Sequence, residues 1–99
     1  MCDPAHKLWL YLSMWYVYIL QSKINGQFYV GFTENLKNRI TQHNEGKVES
    51  TSPYIPYELI YFEGYRDKRD AMKRERMLKH HGQGFRRLKE RLQNSALRT

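Results

Sequence analysis

The amino-acid sequence predicts an α/β chain of the α+β kind: a small three-stranded, mainly antiparallel sheet flanked by helices, in the order β-β-α-β-α-α. Two alternating aromatic runs, residues 15–20 and 28–32, flank an Asn25-Gly26 pair, the strongest short-range hairpin signal. Helical spacing of apolar residues follows the second run at once. A third strand-length run, Tyr57–Tyr65, precedes two further helical stretches.

The hairpin decides what faces what. Side chains alternate along a strand, so loop length sets which residues share a face. A four-residue loop, residues 23–26, pairs Leu20 with Tyr29 and Tyr18 with Gly31. Tyr18 and Tyr29 are then diagonal neighbours on one face, with Val17, Ile19, Phe28, Val30 and Phe32 on the other. A two-residue loop keeps both tyrosines on that face but farther apart. An odd loop without a bulge splits them.

In the helix that follows, Leu36, Ile40 and His43 fall at i, i+4 and i+7, a core-facing stripe that Arg39 borders. Thr33 or Asn35 is placed to cap its start and Gly46 to end it. Residues 47–56 read as a loop, because Ser50, Thr51, Ser52, Pro53 and Pro56 prevent regular pairing. Tyr57–Tyr65 carries apolar side chains on both faces, Leu59 and Tyr61 against Ile60 and Phe62, which predicts a central strand covered on both sides. Asp67 caps a helix running to about residue 81, with Gly82 and Gly84 breaking it. Ala71, Glu75 and Leu78 share one face of that helix, so a carboxylate sits in an apolar stripe. Phe85, Leu88 and Leu92 define the last helix, whose other faces carry Arg86, Arg87, Lys89 and Arg91.

Ninety-nine residues make one domain with a thin core. The expected organisation is an N-terminal extension over residues 1–13, a single domain over 14–93 and a frayed tail over 94–99. Forty per cent apolar and 27% charged residues exclude general disorder. The net charge of +7 is concentrated: residues 66–99 hold twelve Lys and Arg against four acids, whereas residues 1–65 hold five against six. Such a basic patch favours a polyanion, most often nucleic acid, and lacks the broad Trp- and Phe-rich apolar face of a membrane-surface helix. Cys2 is the only cysteine, which excludes an internal disulfide and a cysteine-based zinc site. The apolar run over residues 8–20 is shorter than the roughly 20 residues of a spanning helix, and no small-residue cleavage site follows it. A cytoplasmic location is expected, with no membrane partner.

A guanidinium and an imidazole leaning toward the same sheet as two phenols is an unusual set for a plain core. At these residues the chain resembles the GIY-YIG nuclease superfamily. Tyr16-Val17-Tyr18 stands where the GIY triplet belongs, Tyr29-Val30-Gly31 is the YIG triplet, and Arg39 follows at the position of the family's helix arginine. His43 matches a position held by tyrosine or histidine, and Glu75 matches the metal-binding glutamate of a later helix. The resemblance covers about residues 15 to 80 and is closest to small stand-alone members. Phe32 stands where many members carry lysine; Lys37, or Lys79 one turn beyond Glu75, is the nearest substitute.

The resemblance implies a metal-dependent endonuclease, an enzyme hydrolysing phosphodiester bonds of nucleic acid. DNA is placed ahead of RNA, and structured or branched substrates of the kind met in DNA repair are included. Tyr18, Tyr29, Arg39, His43 and Glu75 are its candidate site residues. Glu75 would bind a single Mg²⁺ or Mn²⁺, an ion that takes few protein oxygens and keeps most of its waters. Arg39 would clamp a phosphate oxygen with its planar fork. Tyr29 is expected to be the base and Tyr18 to position the site, with His43 sharing or relaying the proton. A phenol with a pKa near 10 is ionised in only about one molecule per thousand at neutral pH, so this base needs help. Gly31 would let backbone approach the scissile phosphate. Lys37, Lys79, Arg86, Arg87 and Lys89 are expected to bind the nucleic-acid backbone. The protein is expected as a monomer or weak dimer, with room for a protein partner that supplies specificity. The rival reading is a non-catalytic nucleic-acid-binding module that keeps the fold.

Overall fold

The computed structural model describes residues 13–80 and 82–97. The extension expected over residues 1–13 therefore lies, except for Ser13, outside the described residues.

The elements run β1 (Trp15–Ser22), β2 (Phe28–Thr33), α1 (Leu36–Asn44), a single 3-10 turn (Ser52–Tyr54), β3 (Tyr57–Tyr65), α2 (Lys68–Lys79) and α3 (Gln83–Arg91). The sheet is antiparallel throughout, with β1 between β2 and β3. The hairpin has the four-residue loop and the register it dictates: Leu20 pairs with Tyr29 and Tyr18 with Gly31. The turn closes because Gly26 takes φ 73° and Asn25 Oδ1 accepts the Gln27 N–H at 2.9 Å.

The central strand is β1, not β3. Residues 17–22 of β1 are all buried, whereas β3 is an edge strand with a mixed pattern. Its two-sided apolar sequence has another cause, a break in the β1–β3 register: Ile19 pairs with Tyr61 and Leu20 with Leu59, so Ile60 is the extra residue of a bulge. Leu59 and Phe62 consequently face the layer of α1, while Ile60 and Tyr61 turn toward α2.

Two cores result, one on each side of the sheet. Val17, Ile19 and Val30 pack with Ala71 and Leu78 of α2, Phe85 and Leu88 of α3, and Leu92. Tyr18, Leu20 and Tyr57 pack with Tyr29, Leu59, Leu36 and Ile40 on the α1 side. Burying each large apolar side chain contributes about 1.5–3 kcal/mol.

Local chemistry ends the helices. Asn35 caps α1 by accepting the Asn38 N–H at 3.1 Å, and Gly46 leaves it with φ 76°. Asp67 caps α2, which stops at Lys79 rather than near residue 81. Gly82 caps the start of α3, and Gly84 lies inside that helix rather than before it. After α3, where a frayed end was expected, Leu97 donates its N–H to Gln21 Oε1 at 2.6 Å and accepts from Gln21 Nε2 at 3.3 Å. Among the described residues no helix is long and apolar enough to cross a membrane.

Candidate active site

The α1 face of the sheet collects the polar groups. Tyr18, only 1% exposed, lies across β2 at Gly31. A Cβ at Gly31 would collide with the phenol, its Cζ lying 2.6 Å away, so the glycine makes room for Tyr18. This packing reason for glycine was not part of the sequence reading.

Beyond the ring stands His43, 0% exposed, with Nε2 at 2.9 Å from the Tyr18 hydroxyl and Nδ1 at 2.8 Å from Thr51 Oγ1. Thr51 donates its own proton to the Val48 carbonyl at 3.3 Å, so its oxygen is left to accept from Nδ1–H. Nε2 is then bare and accepts the Tyr18 proton. Every member of this buried chain is satisfied, and among the described residues no buried side-chain polar atom lacks a partner.

Burial holds His43 down to about 4, and the nearby Arg39 charge pushes the same way. The imidazole is neutral at physiological pH. Burial pushes the Tyr18 phenol up to about 12, opposed by Arg39 and reinforced by the charges of Tyr29 and Glu75. Tyr18 is therefore a neutral hydrogen-bond donor.

Tyr29 is placed differently. Its ring is half-buried, meets the His43 ring edge-on at 4.8 Å between centroids, and lies 6.4 Å from the Tyr18 ring. His43 thus hydrogen-bonds Tyr18 and touches Tyr29 only through ring contact. Arg39 sits half-buried on the flank of α1, with one terminal nitrogen donating to Gln42 Oε1 at 3.0 Å.

Glu75 comes from the other layer. It is half-buried on α2 between the fully buried Ala71 and Leu78, close enough for its charge to act on Tyr18. Among the described residues it enters none of the ion pairs, although Lys73, Arg74, Arg76 and Lys79 are its neighbours on the helix. Its neighbour Arg74 does pair: Nε donates to Glu63 at 2.6 Å, and the same carboxylate accepts from the Tyr65 hydroxyl at 2.5 Å and from Tyr61. Burial pushes Glu63 up, but these donors outweigh it and hold its carboxyl below the usual range. The cluster pins α2 to β3.

No group of three or more His, Cys, Asp or Glu converges among the described residues. A lone half-exposed carboxylate suits a hard cation that keeps its waters and takes further oxygens from a bound phosphate. It does not suit a resident zinc, which takes three or four protein ligands.

The remaining basic residues are dispersed. Lys37 is exposed on the flank of α1 opposite Arg39, and Lys79 is exposed at the end of α2. Arg86, Arg87 and Lys89 are exposed on α3, which packs on the other side of the sheet from Tyr18 and Tyr29. The Lys89 ammonium lies 5.2 Å from the Phe28 ring centroid. Thr51 was missed by the sequence reading: it comes from a loop with no period, eight residues beyond His43.

The family model for the GIY-YIG catalytic domain matches residues 14–89. The chain belongs to the GIY-YIG family. Among curated proteins it is 37% identical over 65 residues to a UPF0213 protein of Streptococcus pneumoniae, a match spanning 65% of each chain. It is 43% identical over 65 residues to a UPF0213 protein of Clostridium perfringens, covering 65% of this chain and 69% of the relative. The solution NMR structure of the UPF0213 protein BH0048 from Bacillus halodurans is 35% identical, with a TM-score of 0.47 over 80% of this chain and 81% of that one. In GIY-YIG terms Tyr18 closes the first triplet, and Tyr29 and Gly31 bound the second.

Proposed function

We propose that this protein is a metal-dependent endonuclease in which Tyr29 is the base and Tyr18 and His43 hold it in place. One observation carries the division of labour. The Tyr18 proton is committed to His43 in a sealed chain ending at Val48, while Tyr29, on the same face, reaches the surface.

Hydrolysis of a phosphodiester needs a water that loses its proton and cations for charge developing on phosphorus and on the leaving oxygen. Arg39 is placed to hold a phosphate oxygen, its guanidinium already close enough to lower the Tyr18 pKa. Bound through Glu75, Mg²⁺ or Mn²⁺ would supply Lewis-acid charge at the phosphate. Tyr29 acts in its phenolate form, its own proton having first passed to solvent, and takes the proton of the attacking water. The neutral Tyr18–His43 pair adds no competing charge beside it and keeps its ring packed edge-on.

Nucleic acid is the substrate class, DNA ahead of RNA, with the basic residues of α3 as outlying backbone contacts. The reading is tested by incubation with duplex, single-stranded, flapped and branched DNA and RNA in Mg²⁺, Mn²⁺ or EDTA. Metal-dependent cutting of at least one substrate is expected. Metal-independent cutting, or none on any substrate, overturns it.

A further inference from the structure

The nine residues of α1 do not cover the whole sheet face above which they lie. Toward the start of β1 and the edge of β3 a groove of about 730 Å³ stays open, within the range of small-ligand sites. Leu36 and Ile40 of α1 and Leu59 of β3 line it, and Tyr16 and Phe62 form one wall.

We propose that this groove holds an unstacked nucleobase flanking the scissile phosphate, with Tyr16 and Phe62 as its stacking surface. The inference rests on the nuclease reading and narrows its substrate to strands with an unpaired base beside the cut.

The wall is built for a flat ligand. The Tyr16 ring lies against the backbone at Gly64, where a Cβ would come within 3.4 Å of it. Phe62 meets Tyr16 edge-on, 5.9 Å between centroids and 72° between planes, and remains 50% exposed. A half-exposed phenylalanine on a small protein leaves a ring face without a partner. A nucleobase offers the matching π-face, and such stacking tolerates any base. Bases inside a duplex already have both faces covered, so the groove selects for one that is not.

Continuity with the site argues for this occupant over a lipid or a peptide. Tyr16 is two residues from Tyr18 on the same strand and face. Helix α1 carries Arg39 on one flank and Lys37 on the other, and Lys37 lines the groove. A strand whose phosphate is held at Arg39 rounds the start of α1, lays its next base on Phe62 and brings its next phosphate to Lys37. Glu34 also lines the groove and repels phosphate, which leaves the Lys37 side for the backbone.

The test measures binding in EDTA, so it does not depend on cleavage. The probes are a single strand with a fluorescent aminopurine in place of one base, and a blunt duplex of the same sequence. The whole chain is expected to quench the aminopurine on the single strand. Phe62→Ala should lose the quenching and weaken single-strand binding by about tenfold, with duplex binding unchanged and the fold retained in circular dichroism. Phe62→Trp should restore both signals. Equal single-strand affinity in wild type and Phe62→Ala, or equal losses on single strand and duplex, overturns the proposal. A dimer in sedimentation that Phe62→Ala dissociates, with nucleic-acid affinity intact, assigns the groove to a second copy and overturns it as well. Quenching and binding without cutting in Mg²⁺ would instead count against the nuclease reading and leave the groove assignment standing. A chain that binds neither probe overturns the groove assignment and leaves the nuclease reading to the cleavage panel.

Discussion

The Tyr18 hydroxyl and His43 Nε2 lie 2.9 Å apart, both side chains sealed from solvent, 25 residues apart in the chain. Removing the hydroxyl strands a buried ring nitrogen. Tyr18→Phe should therefore cost about 1–3 kcal/mol of stability, read in thermal or denaturant unfolding. Tyr29→Phe leaves no buried partner behind and should be near neutral for stability. Its cleavage rate should fall by about a hundredfold or more. A Tyr29→Phe protein that cuts normally would remove Tyr29 as the base.

The same burial makes stability depend on pH. The folded pKa of His43, about 4, lies below its ordinary 6.5. Between these values the unfolded chain binds a proton that the folded one does not. Stability from this group is thus fully present above pH 6.5 and is lost as pH falls toward 4, by something on the order of 3 kcal/mol. His43→Gln should be less stable at neutral pH but lose less on acidification, because carboxylate titrations remain in both proteins and cancel in the comparison. Parallel stability curves for the two proteins across that window would show that His43 is charged, or exposed, in the folded state.

Glu75→Gln separates a metal ligand from a surface residue. Among the described residues no ion pair is lost, so stability should change by no more than about 0–1 kcal/mol. A hard cation discriminates strongly between a carboxylate and a neutral amide. Cleavage should drop by orders of magnitude, and metal-free affinity should hold or rise as a negative charge leaves the site. Wild-type cutting by the glutamine variant at limiting Mg²⁺ would end the metal-ligand assignment.

Helix α3 supplies the last test. Replacing Arg86, Arg87 and Lys89 with glutamine should weaken binding to every sequence alike and flatten its salt dependence, by about one unit of slope per lost phosphate contact. Loss of the Lys89 ammonium over Phe28 adds a stability cost of about 0.5–1 kcal/mol, visible in unfolding. An unchanged slope would place α3 outside the interface.

The hairpin and its faces were legible in the amino-acid sequence because each determinant is local. Asn25-Gly26 marks the turn, and any even loop around it puts Tyr18 and Tyr29 on one face by strict alternation; the structure has the four-residue one. The stripe of Leu36, Ile40 and His43 follows in the same way from the 3.6-residue period, and the Asp67 cap from its side chain, while the structure chose Asn35 over Thr33 as the cap of α1.

Other features depend on residues far apart in the chain. The sequence of β3 has apolar residues on both faces, and two arrangements produce that pattern: a central strand, or an edge strand with a bulge at Ile60. Only pairing with β1 decides between them. That Gly31 makes room for a phenol depends on where Tyr18 leans across the pair. The partner of His43, Thr51, comes from a loop whose path no periodicity describes. So the sequence alone determined the elements, the place of the hairpin turn and, for an even loop, the set of chemical groups on one sheet face; pairing in the folded chain chose the four-residue loop and its register. Tertiary packing decided which strand is central, which phenol is sealed and which reaches water, and where α1 leaves the sheet uncovered, because burial and long-range hydrogen bonds are properties of the closed chain.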